Sequence, residues 1–284
     1  MLPRRALLAA APAALLCGCE SPSRRSAARP PTTPSPSDSP SPSASPSPEP
    51  EGEPSGPKPG DTSLEAYLAR VPKFGPPPEP DSIHIGGGGS TPWWFRVPTK
   101  QKVAFITIDD GGFARMPVAR DLIIHAGIPV TMFLNSPAAG NYTDYFKAIK
   151  DAGNHVQDHT VTHRNLKGQS YDFQHKEIQD CRDRLEALFG ERPWLFRPPF
   201  GNYDSTTLKA ARDCGMQVSF MWTQTVDTGI VRYQSAQKVV KPGDVMLMHF
   251  RPLLAEDLIG ALQAIKASGL TPARLEDYVP KPEA

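Results

Sequence analysis

From Val103 onward, seven short apolar runs alternate with five amphipathic stretches of helical period, and a glycine follows each helical stretch. The runs read as strands at 103–108, 129–134, 154–157, 194–197, 216–222, 244–248 and 271–275, and the periodic stretches as helices at 116–126, 142–152, 171–189, 204–214 and 254–268. Gly127, Gly153, Gly190, Gly215 and Gly269 stand where a left-handed helix cap favours a residue without a Cβ. Runs such as Val103-Ala104-Phe105-Ile106 are apolar on both faces, the mark of a parallel strand covered on both sides. Strands and helices in alternation imply an α/β domain with helices outside the sheet, and loops at the carboxyl ends of its strands are where such a fold carries its chemistry. About 200 residues are available to it, enough for one well-buried core.

The chain ahead of this domain is of another kind. Arg4 and Arg5 precede an apolar stretch from Ala6 to Leu16, too short to span a bilayer and read as a signal peptide over 1–19. The paired arginines also fit a twin-arginine export signal. Leu16-Cys17-Gly18-Cys19 resembles a bacterial lipobox, so Cys19 is the expected lipidation site, and acyl chains there would hold the chain on a membrane. Residues 20–60 form a linker whose stretch 21–60 contains 13 Pro and 11 Ser with no large apolar side chain. Such a segment buries too little surface to offset chain entropy and is expected to stay disordered and extended. Residues 61–100 read as an extension packing on the main domain, with a short amphipathic helix at Leu64, Tyr67, Leu68 and Val71. Trp93-Trp94-Phe95 is expected to serve packing rather than sugar stacking. A net charge of +1 and the lack of any basic run exclude a nucleic-acid partner.

Four short segments carry the chemistry, each just after an apolar run. Asp109-Asp110-Gly111 ends the first strand. His159-Thr160-Val161-Thr162-His163 sets two imidazoles four residues apart, on one face of a helical turn, where both can grip one metal ion. With 7 His in 284 residues, chance supplies about 0.2 such spacings. The pair alone is therefore weak, and order and company strengthen it: Arg197-Pro198-Pro199-Phe200-Gly201 and Leu247-Met248-His249 follow. Two histidines and a carboxylate leave coordination positions open, as catalytic rather than structural sites do.

In that order the segments resemble the NodB-homology polysaccharide deacetylases, carbohydrate esterase family 4, over roughly residues 95–280, and the deacetylase domain is expected at 101–280. The first motif, Thr-Phe-Asp-Asp-Gly, is met by Thr107-Ile108-Asp109-Asp110-Gly111. The second, His-Ser/Thr-x-x-His, is met in full. Arg197-Pro198-Pro199-Phe200 meets the third, and Leu247-Met248-His249 the fifth. The resemblance implies an irregular (β/α) barrel and one divalent metal on Asp110, His159 and His163. Zinc is expected, with cobalt or nickel acceptable to the same donors. It implies Asp109 as general base, Arg197 as the residue orienting it, His249 as general acid, the Phe200 N–H in an oxyanion hole beside Pro199, and Leu247 in the acetyl pocket. His155 has no counterpart among the family's ligands and reads as structural. The fourth motif, Asp-x-x-Asp-Trp, is not met. Aligned on Trp222, threonines replace its aspartates; aligned on Asp227, Ile230 and Val231 replace the later Asp-Trp. Both Trp222 and Asp227 remain candidates for the pocket.

Cys181 and Cys214 fall on successive helices of an exported domain and are expected to form a disulfide. The combined expectation is a monomeric, exported hydrolase, lipid-anchored to the outer face of the cytoplasmic membrane and reaching into the wall. It would deacetylate peptidoglycan first of all, with chitin oligomers, acetylated xylan or poly-N-acetylglucosamine as further substrates. The alternative is a wall-anchored carbohydrate-binding lipoprotein that keeps fold and metal but has lost turnover. Membrane fractionation tests the anchor: the wild type should sediment with membranes and Cys19→Ala should not, and equal recovery of both as soluble protein refutes lipidation.

Overall fold

The computed structural model describes residues 60–86, 88–112, 116–279 and 281–282. The expected signal peptide, Cys19 and the linker up to residue 59 lie outside the described residues. In chain order the first elements are α1 (Leu64–Arg70), β1 (Trp93–Trp94), β2 (Val103–Asp110), α2 (Pro117–His125), β3 (Val130–Leu134), α3 (Ser136–Asn141), α4 (Thr143–Asp151) and β4 (His155–Asp158). They continue with α5 (Tyr171–Phe189), β5 (Leu195–Phe196), α6 (Ser205–Asp213), β6 (Val218–Phe220), β7 (Gln224–Asp227), β8 (Ile230–Tyr233), β9 (Val245–His249), α7 (Leu254–Ala267), β10 (Thr271–Ala273) and α8 (Leu275–Tyr278). The five expected helices are all present, and each glycine that follows one has a positive φ. The longest, α5, starts on Ser170, whose hydroxyl accepts the Phe173 N–H, and ends on Gly190. Asp204 and Thr207 form a reciprocal capping box on α6.

The sheet runs β1-β6-β5-β4-β3-β2-β9-β7-β8, with β10 beside the start of β2. All pairings are parallel except the β7–β8 hairpin. That hairpin is a departure from the sequence reading. The run expected as one strand over 216–222 ends at Phe220, and the Thr223 N–H then donates to the Val245 carbonyl of β9 at 2.9 Å. The extension before β2 spans the space this leaves. β1 pairs with β6, and the Val97 N–H then donates to Gly243 at the foot of β9 at 2.8 Å, with Arg96 bridging Asp244. Residues 93–97 thus help curl the sheet into an incomplete barrel flanked by helices. The crossing tolerates only glycine at 243: φ is 82°, and a Cβ there would lie 2.1 Å from the Val97 oxygen.

Strand alternation then sorts the side chains. On β2, Ala104, Ile106 and Ile108 face outward and pack with Leu122, Ile123 and Phe146 of the helices. Val103 and Phe105 face inward, against Phe133, Leu195, Val218, Phe220, Val245 and Tyr278. The same period of two carries Thr107 and Asp109 inward above Phe105, and Leu247 and His249 inward above Val245. The floor of the barrel is polar but satisfied. Glu276 of α8 accepts from Thr131 at 2.7 Å and from Gln157 at 3.1 Å, and Gln157 in turn accepts the N–H groups of Trp194 and Leu195.

The expected Cys181–Cys214 disulfide is not formed: both are buried free thiols. Helices α5 and α6 are neighbours, but the two sulfurs face different partners. The Cys181 thiol is directed at the Leu134 carbonyl of β3, and that of Cys214 at the His175 carbonyl of α5. Burial raises both thiols, that of Cys214 to about 12, so neither is reactive in the folded state. Alkylation of denatured protein without reductant should label both Cys181 and Cys214 in the intact-mass spectrum, whereas an unlabelled pair would restore the disulfide.

Candidate active site

Arg197 follows the short strand β5 and enters the barrel interior, where its guanidinium is fully buried. Its Nη1 donates to Asp109 Oδ1 at 2.7 Å and to Thr107 Oγ1 at 2.8 Å, and its Nη2 donates to the Met221 carbonyl at 3.2 Å. The cation also lies 4.3 Å from the ring centre of Phe133 and 5.8 Å from that of Trp222. Asp109 is itself buried, so each charge is the other's nearest compensation, and deleting either would cost about 3–5 kcal/mol. Asp109 Oδ2 remains 3.7 Å from His159 Nε2, directed toward the second cluster.

That cluster consists of Asp110, His159 and His163, whose donor atoms all lie within 4.8 Å of one another. Asp110 Oδ1 is 3.5 Å from His159 Nε2 and 3.3 Å from His163 Nε2. Ligands bound tetrahedrally to zinc at about 2.05 Å stand about 3.4 Å apart, so the spacing suits one ion of that size. Two further features fit a cation. Asp110 Oδ1 is buried without a donor among the described residues. The Nδ1–H of His159 donates to the Arg197 carbonyl at 2.7 Å, which leaves the Nε2 lone pair facing the cluster. Burial would raise the Asp110 carboxyl, but His159, with smaller contributions from His249 and His163, holds it below its ordinary value. Burial opposes charge on His159 too, yet Asp109 and Asp110 carry it above its ordinary value, whereas burial and His159 lower His163.

The two histidines do not reach one another through a helical turn, as their spacing suggested. Residues 159–163 form an irregular loop after β4, with left-handed backbone at Thr160 (φ 68°) and His163 (φ 54°). Asp110 (φ 77°) and Phe200 (φ 61°) share that conformation. Such backbone costs about 1–3 kcal/mol per non-glycine residue and persists only where the surroundings impose it. Here Asn135 donates to the His159 carbonyl at 2.6 Å, Asp158 accepts the Thr160 N–H at 2.9 Å, and Glu177 accepts the Thr162 N–H at 2.8 Å. Thr107 entered the sequence reading only as part of the first motif, and Asn135, Asp158 and Glu177 escaped it. Of these, Glu177 alone left a signal, as a charge on the apolar stripe of α5. Burial lifts the Asp158 carboxyl to about 8, against the Thr160 N–H.

The remaining candidates divide. His249 is in register with Asp109, and Leu247 is buried beside Thr107. Pro199, Phe200 and Gly201 make a tight turn above the cluster, with the 60% exposed Phe200 ring 4.6 Å from His163. The Phe200 N–H has no acceptor among the described residues. Trp222 joins the site over Arg197, from a position the fourth motif does not predict. Asp227 does not: its side chain is 42% exposed on the β7–β8 hairpin and pairs with Arg251 at 3.0 Å. His249 therefore has no carboxylate hydrogen-bond partner among the described residues. His155 hydrogen-bonds Glu191 at 3.0 Å, outside the cluster.

A family model described as polysaccharide deacetylase matches residues 96–219. An uncharacterized protein of Streptomyces coelicolor is 36% identical over 188 residues, 64% of this chain and 75% of that protein. A peptidoglycan-N-acetylglucosamine deacetylase of Bacillus cereus is 27% identical over 163 residues, 56% of this chain and 59% of its own length. Among solved structures, a mutant of a Bacillus anthracis pseudoenzyme of carbohydrate esterase family 4, with restored activity, superposes with a TM-score of 0.58 at 25% identity. It covers 69% of this chain and 74% of that one.

Elemental analysis should find about one divalent metal ion per chain in the wild type and none in a His159→Ala, His163→Ala double variant. Metal binding requires neutral imidazoles. Loading should therefore weaken as pH falls, with a proton on His159, the histidine of raised pKa, competing before one on His163. Unchanged metal content in the double variant refutes the assignment.

Proposed function

The chain belongs to the NodB-homology polysaccharide deacetylases of carbohydrate esterase family 4, and from that premise we propose that it hydrolyses acetamido groups on an envelope glycan, peptidoglycan foremost, with one divalent metal on Asp110, His159 and His163. The observation that carries this reading is the buried Arg197–Asp109 pair beside three converging metal donors, with His249 in register. Asp109 and Asp110 are adjacent in sequence yet differently engaged. One is held by a guanidinium and free of the donor cluster; the other belongs to it. Zinc suits the donor set, and cobalt or nickel would be accepted. The bound ion would polarise the acetyl carbonyl and lower the pKa of water.

The chain's own groups manage the protons. Asp109 takes a proton from the attacking water, and Arg197 holds that carboxylate in place. The free Phe200 N–H donates to the oxygen that gains charge as water adds. His249 gives a proton to the nitrogen as the C–N bond breaks, so that amine and acetate leave. Leu247 receives the acetyl methyl. The expected lipid anchor at Cys19 and the long linker would hold a monomeric domain within reach of the wall, which favours peptidoglycan, as does similarity to a peptidoglycan deacetylase. O-acetylated glycans offer the same carbonyl and are further candidates.

One observation favours a second reading, a carbohydrate-binding lipoprotein without turnover. His249 lacks the carboxylate partner that the missing fourth motif would supply, and a structural neighbour is described as a pseudoenzyme. Acetate release from peptidoglycan and acetylated chito-oligomers separates the two. The enzyme reading expects release by wild type, with Asp109→Asn and His249→Ala retaining metal and losing about 10²- to 10⁴-fold in rate. Wild-type rates in His249→Ala would move the acid elsewhere. Binding without release from any acetylated glycan would establish the second reading.

A further inference from the structure

Of the three aromatic residues expected to pack the extension, only Trp94 turns inward, meeting Phe220 edge-on at 5.9 Å. Strand alternation sends Trp93 to the opposite side, where it stacks on Tyr203 at 4.0 Å and 30°. Phe95 meets Trp93 at 6.0 Å and keeps 47% of its surface exposed. Tyr203 lies on the same turn as Phe200, three residues on. Between them, a Cβ at Gly201 would lie 2.4 Å from Met221 Sδ and 3.1 Å from Trp222, so the turn is pressed flat on those side chains. The result is an aromatic row in two parts, Phe200 on His163 and, across the Gly201 turn, Tyr203, Trp93 and Phe95. Its two ends are exposed, as is the amide of Asn202 between Phe200 and Tyr203.

We propose that this row is a second sugar subsite, in which Phe95 and Tyr203 hold a pyranose unit of the same glycan whose acetylated unit lies at the metal cluster. The inference rests on the deacetylase reading and adds to it the part of the substrate bound beyond the reacting sugar. A pyranose presents an apolar C–H face suited to an aromatic ring and hydroxyls suited to an amide such as that of Asn202. A polymer leaving the Phe200 turn along this row meets both. Packing alone does not require Phe95 to stand half in water at the end of an aromatic stack. Residues 93–95 are thereby both part of the barrel wall and a contact for polymeric substrate.

The test uses the full chain, loaded with zinc, on N-acetylglucosamine and on its β-1,4-linked hexamer. Wild type should show a higher kcat/KM on the hexamer, and Phe95→Ala should lower the hexamer-to-monomer ratio about tenfold, the loss of one aromatic contact. Phe95→Trp, which keeps an aromatic face, should keep the ratio. A wild-type ratio in Phe95→Ala overturns the subsite, as does an equal loss on both substrates. If wild type releases no acetate from either, the deacetylase reading fails by itself, and quenching of tryptophan fluorescence by the hexamer reads the subsite instead. Saturable quenching lost in Phe95→Ala supports it, and fluorescence indifferent to the hexamer overturns it.

Discussion

The buried ion pair between Arg197 and Asp109 is the interaction on which the site depends. A charge buried at that depth needs an opposite charge close by, because removing one partner leaves the other uncompensated. Arg197 supplies the opposite charge at 2.7 Å and is itself fixed by Thr107, the Met221 carbonyl and the Phe133 ring. Such a pair is a poor way to gain stability, since well-packed apolar side chains of the same volume often do as well or better. Its value is to hold one carboxylate in place while its neighbour Asp110 joins the donor cluster. The same arginine reaches the donor cluster indirectly, since its carbonyl fixes the His159 ring through Nδ1.

For Arg197 to meet Asp109, the sheet must curl. Asp109 lies on β2 and Arg197 beyond β5, and only curvature brings their inward faces together. Residues 93–97 contribute by filling the space between β6 and β9. Asp244 secures them: buried, it accepts from Arg96 at 2.6 and 2.8 Å, from Gln224 at 2.6 Å and from the Lys241 N–H at 2.8 Å. A chain segment that looked like an appendage is thus part of the wall. Helix α1 is fastened in the same manner, with Arg70 and Tyr67 both donating to Glu256 of α7.

Strain gathers where the chemistry is proposed. Of six described non-glycine residues with positive φ, four are Asp110, Thr160, His163 and Phe200. Each lies in a loop at the carboxyl end of a strand, where the chain must turn a donor or an N–H toward one point. Asn135, Asp158 and Glu177 hold the 159–163 loop through hydrogen bonds that offset its backbone cost.

The linear pattern determined the elements and the donor types. Apolar runs and helical period are local properties, so all five long helices and the central strands could be read directly, while the resemblance to the family's motifs drew Asp109, Asp110, His159, His163, Arg197 and His249 together as a set. What tertiary structure decided is how they meet. The His159–His163 loop is not helical, because the curl of β4 and the Asn135 and Glu177 contacts set its backbone. Cys181 and Cys214 sit on neighbouring helices yet face different carbonyls, since pairing depends on helix rotation, which spacing does not encode. Trp222 reaches the Arg197 guanidinium from a segment that fails its motif, and Asp227 is carried away by the β7–β8 hairpin. Trp93 and Phe95 point outward because β1 joins the sheet in one register. A two-residue shift along a strand preserves its pattern, and a one-residue shift exchanges its faces. Only the packed structure chooses between them.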